Sequence, residues 1–176
     1  MLNVITVEEA IKILKDNFTV SSQTETVYLD ESFGRIAAED IFSGEDVPSF
    51  FRSTMDGYAL CAADTYGSGE SMPAMLDIKG EILMGECADT PIKNGECFKI
   101  STGGMLPVGA DAVIPVENTD EDNGVCLIYK SVSPFENVIK KGDDIKIGEC
   151  VVKKGTYLSP AHIGLLASVG KSKINV

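Results

Sequence analysis

Between residues 49 and 145 glycine-centred turns interrupt the chain so often that no long helix can form there. The breaks are Gly67-Ser68-Gly69, Asn94-Gly95, Pro107-Val108-Gly109 and Asp122-Asn123-Gly124. The short runs between them, at 57–60, 74–78, 81–84, 97–101, 112–116 and 125–131, read as strands. Short strands punctuated at this rate predict a small barrel or sandwich. Asn94-Gly95 and Asn123-Gly124 have the composition of hairpin turns.

The flanks read differently. Thr6 is the N-cap of a first helix and Glu9, three residues on, completes a capping box. Val7, Ala10, Ile11, Leu14 and Phe18 then recur at helical spacing, a stripe that needs burial. Polar Ser21, Ser22, Gln23 and Thr24 end the element. A β-type run at 26–29 is followed by shorter ones at 36–38 and 41–42, and the turn-rich stretch 43–48 marks a boundary. After Gly148 come β runs at 150–152 and 156–158. A helix follows, with Ser159 as N-cap, Pro160 at its first position, a stripe of Ile163, Leu166 and Ala167, and Gly170 as its stop. A last strand starts at Ser172. The expected fold is mainly β with a few helices (α+β).

Composition narrows the function classes. A 44% apolar fraction in 176 residues supports a core and excludes global disorder. A net charge of -12 repels phosphate backbones, which excludes a nucleic-acid partner. There is no basic amphipathic helix and no apolar run of membrane-spanning length. Five cysteines, an odd number with no C-x-x-C pair, imply reduced thiols in the cytoplasm. His162 is the single histidine, so a two-histidine metal site is excluded, and His162 itself reads as an ordinary residue of the last helix.

Three segments carry polar groups at turns. In Arg52-Ser53-Thr54-Met55-Asp56-Gly57-Tyr58-Ala59, Asp56 sits where a turn can aim a carboxylate at a ligand or a metal-bound water; its bland alternative is a hairpin. In the segment from Ile100 to Val113, Gly103 and Gly104 permit close backbone approach beside the Thr102 hydroxyl, and no Walker lysine follows. The alternative there is a long hairpin. In Lys140-Lys141-Gly142-Asp143-Asp144-Ile145, paired carboxylates suit shared magnesium binding, and the alternative is a solvated turn.

Taken in this order, the three segments resemble the MoeA family, which includes the E domain of gephyrin. Ser53 to Ala59 is similar to its Met-Asp-Gly-Tyr-Ala pattern, Thr102 to Val113 to its Thr-Gly…Leu-Pro…Gly-Ala-Asp-Ala-Val pattern, and Gly142 to Ile145 to its Gly-acidic-Asp-Ile pattern. Phe33 to Ile41 is similar to a Gly-Arg-rich strand of the same family. The resemblance implies a molybdopterin molybdenumtransferase, which uses magnesium to hydrolyse adenylylated molybdopterin and insert molybdate into its dithiolene. It implies Asp56, Thr102 and Asp144 as residues of activity. Asp56 and Asp144 would polarise water or help hold magnesium, and Thr102 would donate a hydrogen bond to a substrate oxygen.

The resemblance also implies a layout. Residues 43–144 would form a β-rich, barrel-like insert domain, residues 26–42 and 145–176 a small discontinuous domain, and residues 1–25 a helix that packs on an α/β domain beyond Val176. That domain would hold the pterin, so the chain alone is expected to be inactive. A homodimer in which the first helix takes part is also expected. The alternative of another class is a gephyrin-like interaction module without catalysis. Two departures stand out: Phe51 replaces a frequent acidic residue, and Gly104 replaces a frequent alanine, the latter expected to matter little.

Overall fold

The structure is a computed structural model that describes residues 5–18 and 23–176, so Ser21 and Ser22 of the expected helix stop lie outside the described residues. In chain order the elements are α1 (Val7–Asn17), β1 (Thr26–Tyr28), β2 (Ile41–Phe42), β3 (Arg52–Ser53), β4 (Gly57–Leu60), β5 (Ala74–Ile82) and β6 (Glu96–Ile100). They continue with β7 (Ala112–Pro115), β8 (Thr119–Asp122), β9 (Val125–Ile128), β10 (Val138–Ile139), β11 (Cys150–Val152), α2 (Pro160–Ser168) and β12 (Lys173–Asn175). The chain is mostly strand with two helices, as its turn pattern demands.

Six strands form one sheet in the order β7-β4-β6-β5-β9-β8. A flat sheet would hold β4 and β8 about 19 Å apart, four strand spacings. Yet the Tyr58 hydroxyl on β4 donates to Glu121 Oε2 on β8 at 2.9 Å. The sheet is therefore strongly curled. Tyr58, Leu60, Leu76, Cys97, Ile114 and Ile128 fill the concave face. On the other face Ala59, Ile82, Phe98 and Ile100 pack with Ile92 and Leu106 from the connecting loops. β4 is buried on both faces, which is why all four of its residues are inside and why it lacks alternation.

Several strand expectations change. The run at 74–78 and the start of that at 81–84 belong to the single strand β5, which ends at Ile82. Gly80, whose Cβ position lies 3.1 Å from the Phe98 ring, sits in a register shift between Ile78 and Glu81 and breaks the apolar pattern. β5 and β6 are parallel, so Asn94-Gly95 closes a crossover rather than a hairpin. Asn123-Gly124, with φ of 49° and 82°, does turn β8 into β9 as a two-residue hairpin. β8 reads Thr-Asp-Glu-Asp and has no apolar signal; it exists as an edge because β9 offers it a ladder. Residues 36–38 and 156–158 form no strands, only an isolated bridge between Ile36 and Tyr157.

A second core joins the two flanks, with Leu29, Ala37 and Ile41 meeting Val152, Leu158, Leu166 and Ile174. β1 pairs with β12 and β2 with β11, both antiparallel. α2 begins as expected: Ser159 N donates to His162 Nδ1 at 3.2 Å, and the Ser159 Oγ lies 2.8 Å from the same nitrogen. His162 is therefore a capping residue, more than an ordinary member of the helix. Gly170, at φ 74°, ends it. α1 has its capping box, with Thr6 N donating to Glu9 Oε2 at 2.9 Å and Glu9 N to Thr6 Oγ1 at 3.2 Å. Its apolar stripe stays open: Val7 is 72% and Phe18 70% exposed, and no residue of the helix is buried. No described helix is long and apolar enough to cross a membrane.

Candidate functional site

Asp56 and Thr102, 46 residues apart in sequence, meet. Asp56 Oδ1 accepts the Thr102 backbone N–H at 2.6 Å and the Thr102 hydroxyl at 2.9 Å. These donors, the backbone one first, hold the Asp56 carboxyl below the ordinary aspartate value of 3.8. The Thr102 proton is thus engaged by Asp56.

The sheet places both groups. Asp56 precedes β4, and its carbonyl accepts Val116 N at 3.1 Å, just beyond β7. Gly57 is required where β4 pairs with β7: a Cβ there would lie 1.9 Å from the Ile114 carbonyl oxygen. Thr102 follows β6 on a loop tied at both sides, with Ser101 N donating to Ile82 O at 3.1 Å and Gly103 N to Ser53 O at 2.8 Å. Gly103 adopts φ 81°. A Cβ on Gly104 would lie 2.8 Å from Ile100 Cγ1 and 2.9 Å from Ser101 O, so the glycine matters more than expected. Neither segment is the simple hairpin of its alternative reading. β3 pairs with β10, and β6 and β7 each pair with β4 rather than with each other.

Beside Asp56 opens a cavity of about 210 Å³, lined also by Tyr58, Glu81, Lys99, Ser101 and Val116. Glu81 and Lys99 face each other across the parallel β5–β6 pair. Among the described residues Lys99 forms no ion pair. Sequence reading missed Glu81 and Lys99, because only the parallel register brings them to Asp56. Lys99, on the strand that leads into Thr102, was the one local signal. Beneath the cavity the Tyr58 hydroxyl is held protonated to higher pH, by burial first and by Glu121 second.

Asp144 lies elsewhere. Its backbone N–H donates to Val47 O at 3.0 Å in a neck where residues 43–48 run against 140–148. The neck is fastened by Ile147 N donating to Asp46 Oδ1 at 2.9 Å and by Lys141 Nζ 3.5 Å from Asp46 Oδ2. The turn before Asp144 is closed by its neighbour, with Lys140 N donating to Asp143 Oδ2 at 2.8 Å. Asp144 is exposed and lines no part of the Asp56 cavity. Where an acidic neighbour of Asp56 was expected to be lost, Phe51 instead stacks on Phe135 at 6.1 Å, with Lys140 4.1 Å over that ring.

Magnesium would have the second oxygen of Asp56 as a ligand here and would need its other ligands from substrate or water. No three His, Cys, Asp or Glu side chains among them converge as a metal site, and Asp56 Oδ1 is already saturated by Thr102.

A curled β-rich unit with a carboxylate–hydroxyl pair at its mouth, set into a smaller mixed unit built from both flanks, defines the class of protein. The sequence profile described as the MoeA N-terminal region (domain I and II) matches residues 5–170, and the chain belongs to that family. It is 38% identical over 179 residues to a Methanocaldococcus jannaschii protein described under molybdopterin biosynthesis, covering 99% of this chain and 43% of that one. It is 35% identical over 173 residues to the molybdopterin molybdenumtransferase of Staphylococcus epidermidis, covering 98% of this chain and 41% of that one. The crystal structure of a molybdopterin biosynthesis MoeA protein from Pyrococcus horikoshii superposes with a TM-score of 0.92 at 43% identity, over 99% of this chain and 44% of that one. The chain thus spans less than half the length of these relatives.

Proposed function

We propose that this chain is the N-terminal part of a molybdopterin molybdenumtransferase acting on adenylylated molybdopterin and molybdate, with Asp56 and Thr102 as its contribution to the active site. The observation that carries this reading is the meeting of two family motifs in one hydrogen-bonded pair, beside a cavity that Asp56, Glu81 and Lys99 line. The relatives' names support a transferase and lend nothing to a non-catalytic scaffold. We take residues 43–144 as the insert domain, with 26–42 and 145–176 as the small one, and place the protein in the cytoplasm.

The chemistry follows from the charge on Asp56. A carboxyl held below its ordinary value is a weak proton acceptor at neutral pH, so Asp56 is not a tuned general base. It is a fixed anion whose second oxygen remains open to orient a substrate N–H or O–H, or a water. Lys99 supplies the nearby positive charge that an anionic substrate needs. Asp144, in the neck, contributes from a different place. Magnesium on the second oxygen of Asp56 would draw its other ligands from substrate oxygens or water.

The test is molybdenum insertion, read by reconstitution of an apo-molybdoenzyme. In the full-length protein Asp56→Asn lowers kcat and kcat/KM together, while stability changes by no more than about 0.5 kcal/mol because the side chain is exposed. An unchanged kcat returns Asp56 to a turn former. The 176-residue chain alone turns over no faster than buffer.

A further inference from the structure

We propose that Ser53 is a positioning residue that holds Asp56 and Thr102 in register from one buried point. Its side chain is 2% exposed, and its hydroxyl closes the turn that carries Asp56, donating to Met55 O at 2.5 Å while accepting Met55 N at 3.1 Å. Its backbone fastens the loop that carries Thr102: Gly103 N donates to Ser53 O at 2.8 Å, and Ser53 N donates to Gly104 O at 3.0 Å. Ser53 is itself anchored on the far side by pairing with Val138. One residue therefore grips Met55, immediately before Asp56, with its side chain, and Gly103, immediately after Thr102, with its main chain.

The consequence is geometric. The Asp56–Thr102 bonds span two exposed loops that have no other direct side-chain tie to each other among the described residues. A hydrogen bond weakens steeply with misalignment, so a turn that loses its internal brace loses the aim of its carboxylate. Without the hydroxyl, Met55 N–H and C=O return to solvent, and the turn before Asp56 loosens; the Asp56 carbonyl stays on Val116 N, but its carboxylate loses its aim, while the Thr102 loop stays fixed by the Ser53 main chain.

This inference rests on the reading of Asp56 as a functional group, yet its primary test does not need activity. The Thr102 amide proton, 2.6 Å from a carboxylate on the donor–acceptor scale, is shifted downfield in the NMR spectrum at neutral pH, and Asp56 titrates below 3.8. In Ser53→Ala the Thr102 amide moves upfield and the Asp56 midpoint rises toward 3.8. Ser53→Cys, which keeps a similar shape but hydrogen-bonds weakly, shifts both in the same direction and decides the matter if the alanine variant does not fold. Thr65→Ala is the control. It removes an equally buried hydroxyl that donates to Ala62 O at 2.8 Å and accepts Val132 N at 3.1 Å, and it leaves Thr102 and Asp56 unmoved. Unchanged Thr102 and Asp56 signals in the Ser53 variants, or equal shifts in Thr65→Ala, overturn the proposal. In the full-length enzyme Ser53→Ala lowers kcat roughly ten- to hundred-fold with little change in KM, the scale of a misplaced group. A silent Asp56→Asn would sink the functional reading while the NMR result would still stand for the positioning.

Discussion

Gly57→Ala adds one methyl group where β4 pairs with β7. Its Cβ would lie 1.9 Å from Ile114 O, 2.9 Å from Ile114 C and 3.0 Å from Pro115 Cα. Ordinary contact begins at 3.4 Å, so the carbonyl oxygen alone must retreat by 1.5 Å. That oxygen belongs to a backbone paired with β4 through Gly57↔Pro115, Tyr58↔Ile114, Ala59↔Val113 and Leu60↔Ala112, and it cannot rotate away as a side chain would. The retreat weakens one or two ladder hydrogen bonds at about 1 kcal/mol each and strains a core packed on both faces by about 1–3 kcal/mol. The expected loss is about 3 kcal/mol, which lowers the urea midpoint by roughly 1.5 M for a slope near 2 kcal/mol/M. Gly44→Ala is the matched control, because nothing lies within 4 Å of its Cβ position and its φ is not positive. It is expected to leave stability within about 0.5 kcal/mol or to raise it slightly. Equal midpoints for the two variants would refute the claim that Gly57 is held by the closeness of β7.

The buried phenol gives a pH dependence. Tyr58 has its folded pKa raised above the ordinary 10.0 by burial and by Glu121, so the folded state keeps a proton that the unfolded chain has released. Stability from this group is complete below pH 10 and falls as pH rises above it, by up to about 1.4 kcal/mol per unit. Tyr58→Phe removes that share of the alkaline slope, and an unchanged slope in urea melts between pH 9 and 11 contradicts the assignment. For α1, light scattering on the chain and on a version lacking residues 1–22 is expected to show a dimer and a monomer, since an isolated helix of 11 residues with an open stripe is marginal in water. A monomer whose α1 amides are well protected from exchange would contradict it.

Features set within a few residues were legible from the sequence alone. The Thr6–Glu9 capping box and the Ser159 start of α2 depend on side chains reaching their own backbone over three residues, and the Gly170 stop and the Asn123-Gly124 hairpin on residues that take positive φ. The motif order pointed to the family in the same local way. Only the tertiary structure decided which motifs meet. Strand partners are chosen by burial and by the reach of the loops between them, and neither is written in a strand's own residues. The parallel pairing of β5 with β6 turned an expected hairpin into a crossover and set Glu81 and Lys99 beside Asp56. The curl of the sheet, seen in the Tyr58–Glu121 bond, is likewise a long-range outcome. Asp56, Thr102 and Asp144 looked equivalent as polar residues at turns. Folding joined the first two through the antiparallel pairing of β4 with β6, which sets Gly57 opposite Ile100, and left the third in the neck, where residues 43–48 run against 140–148 on the way between the sheet and the smaller core.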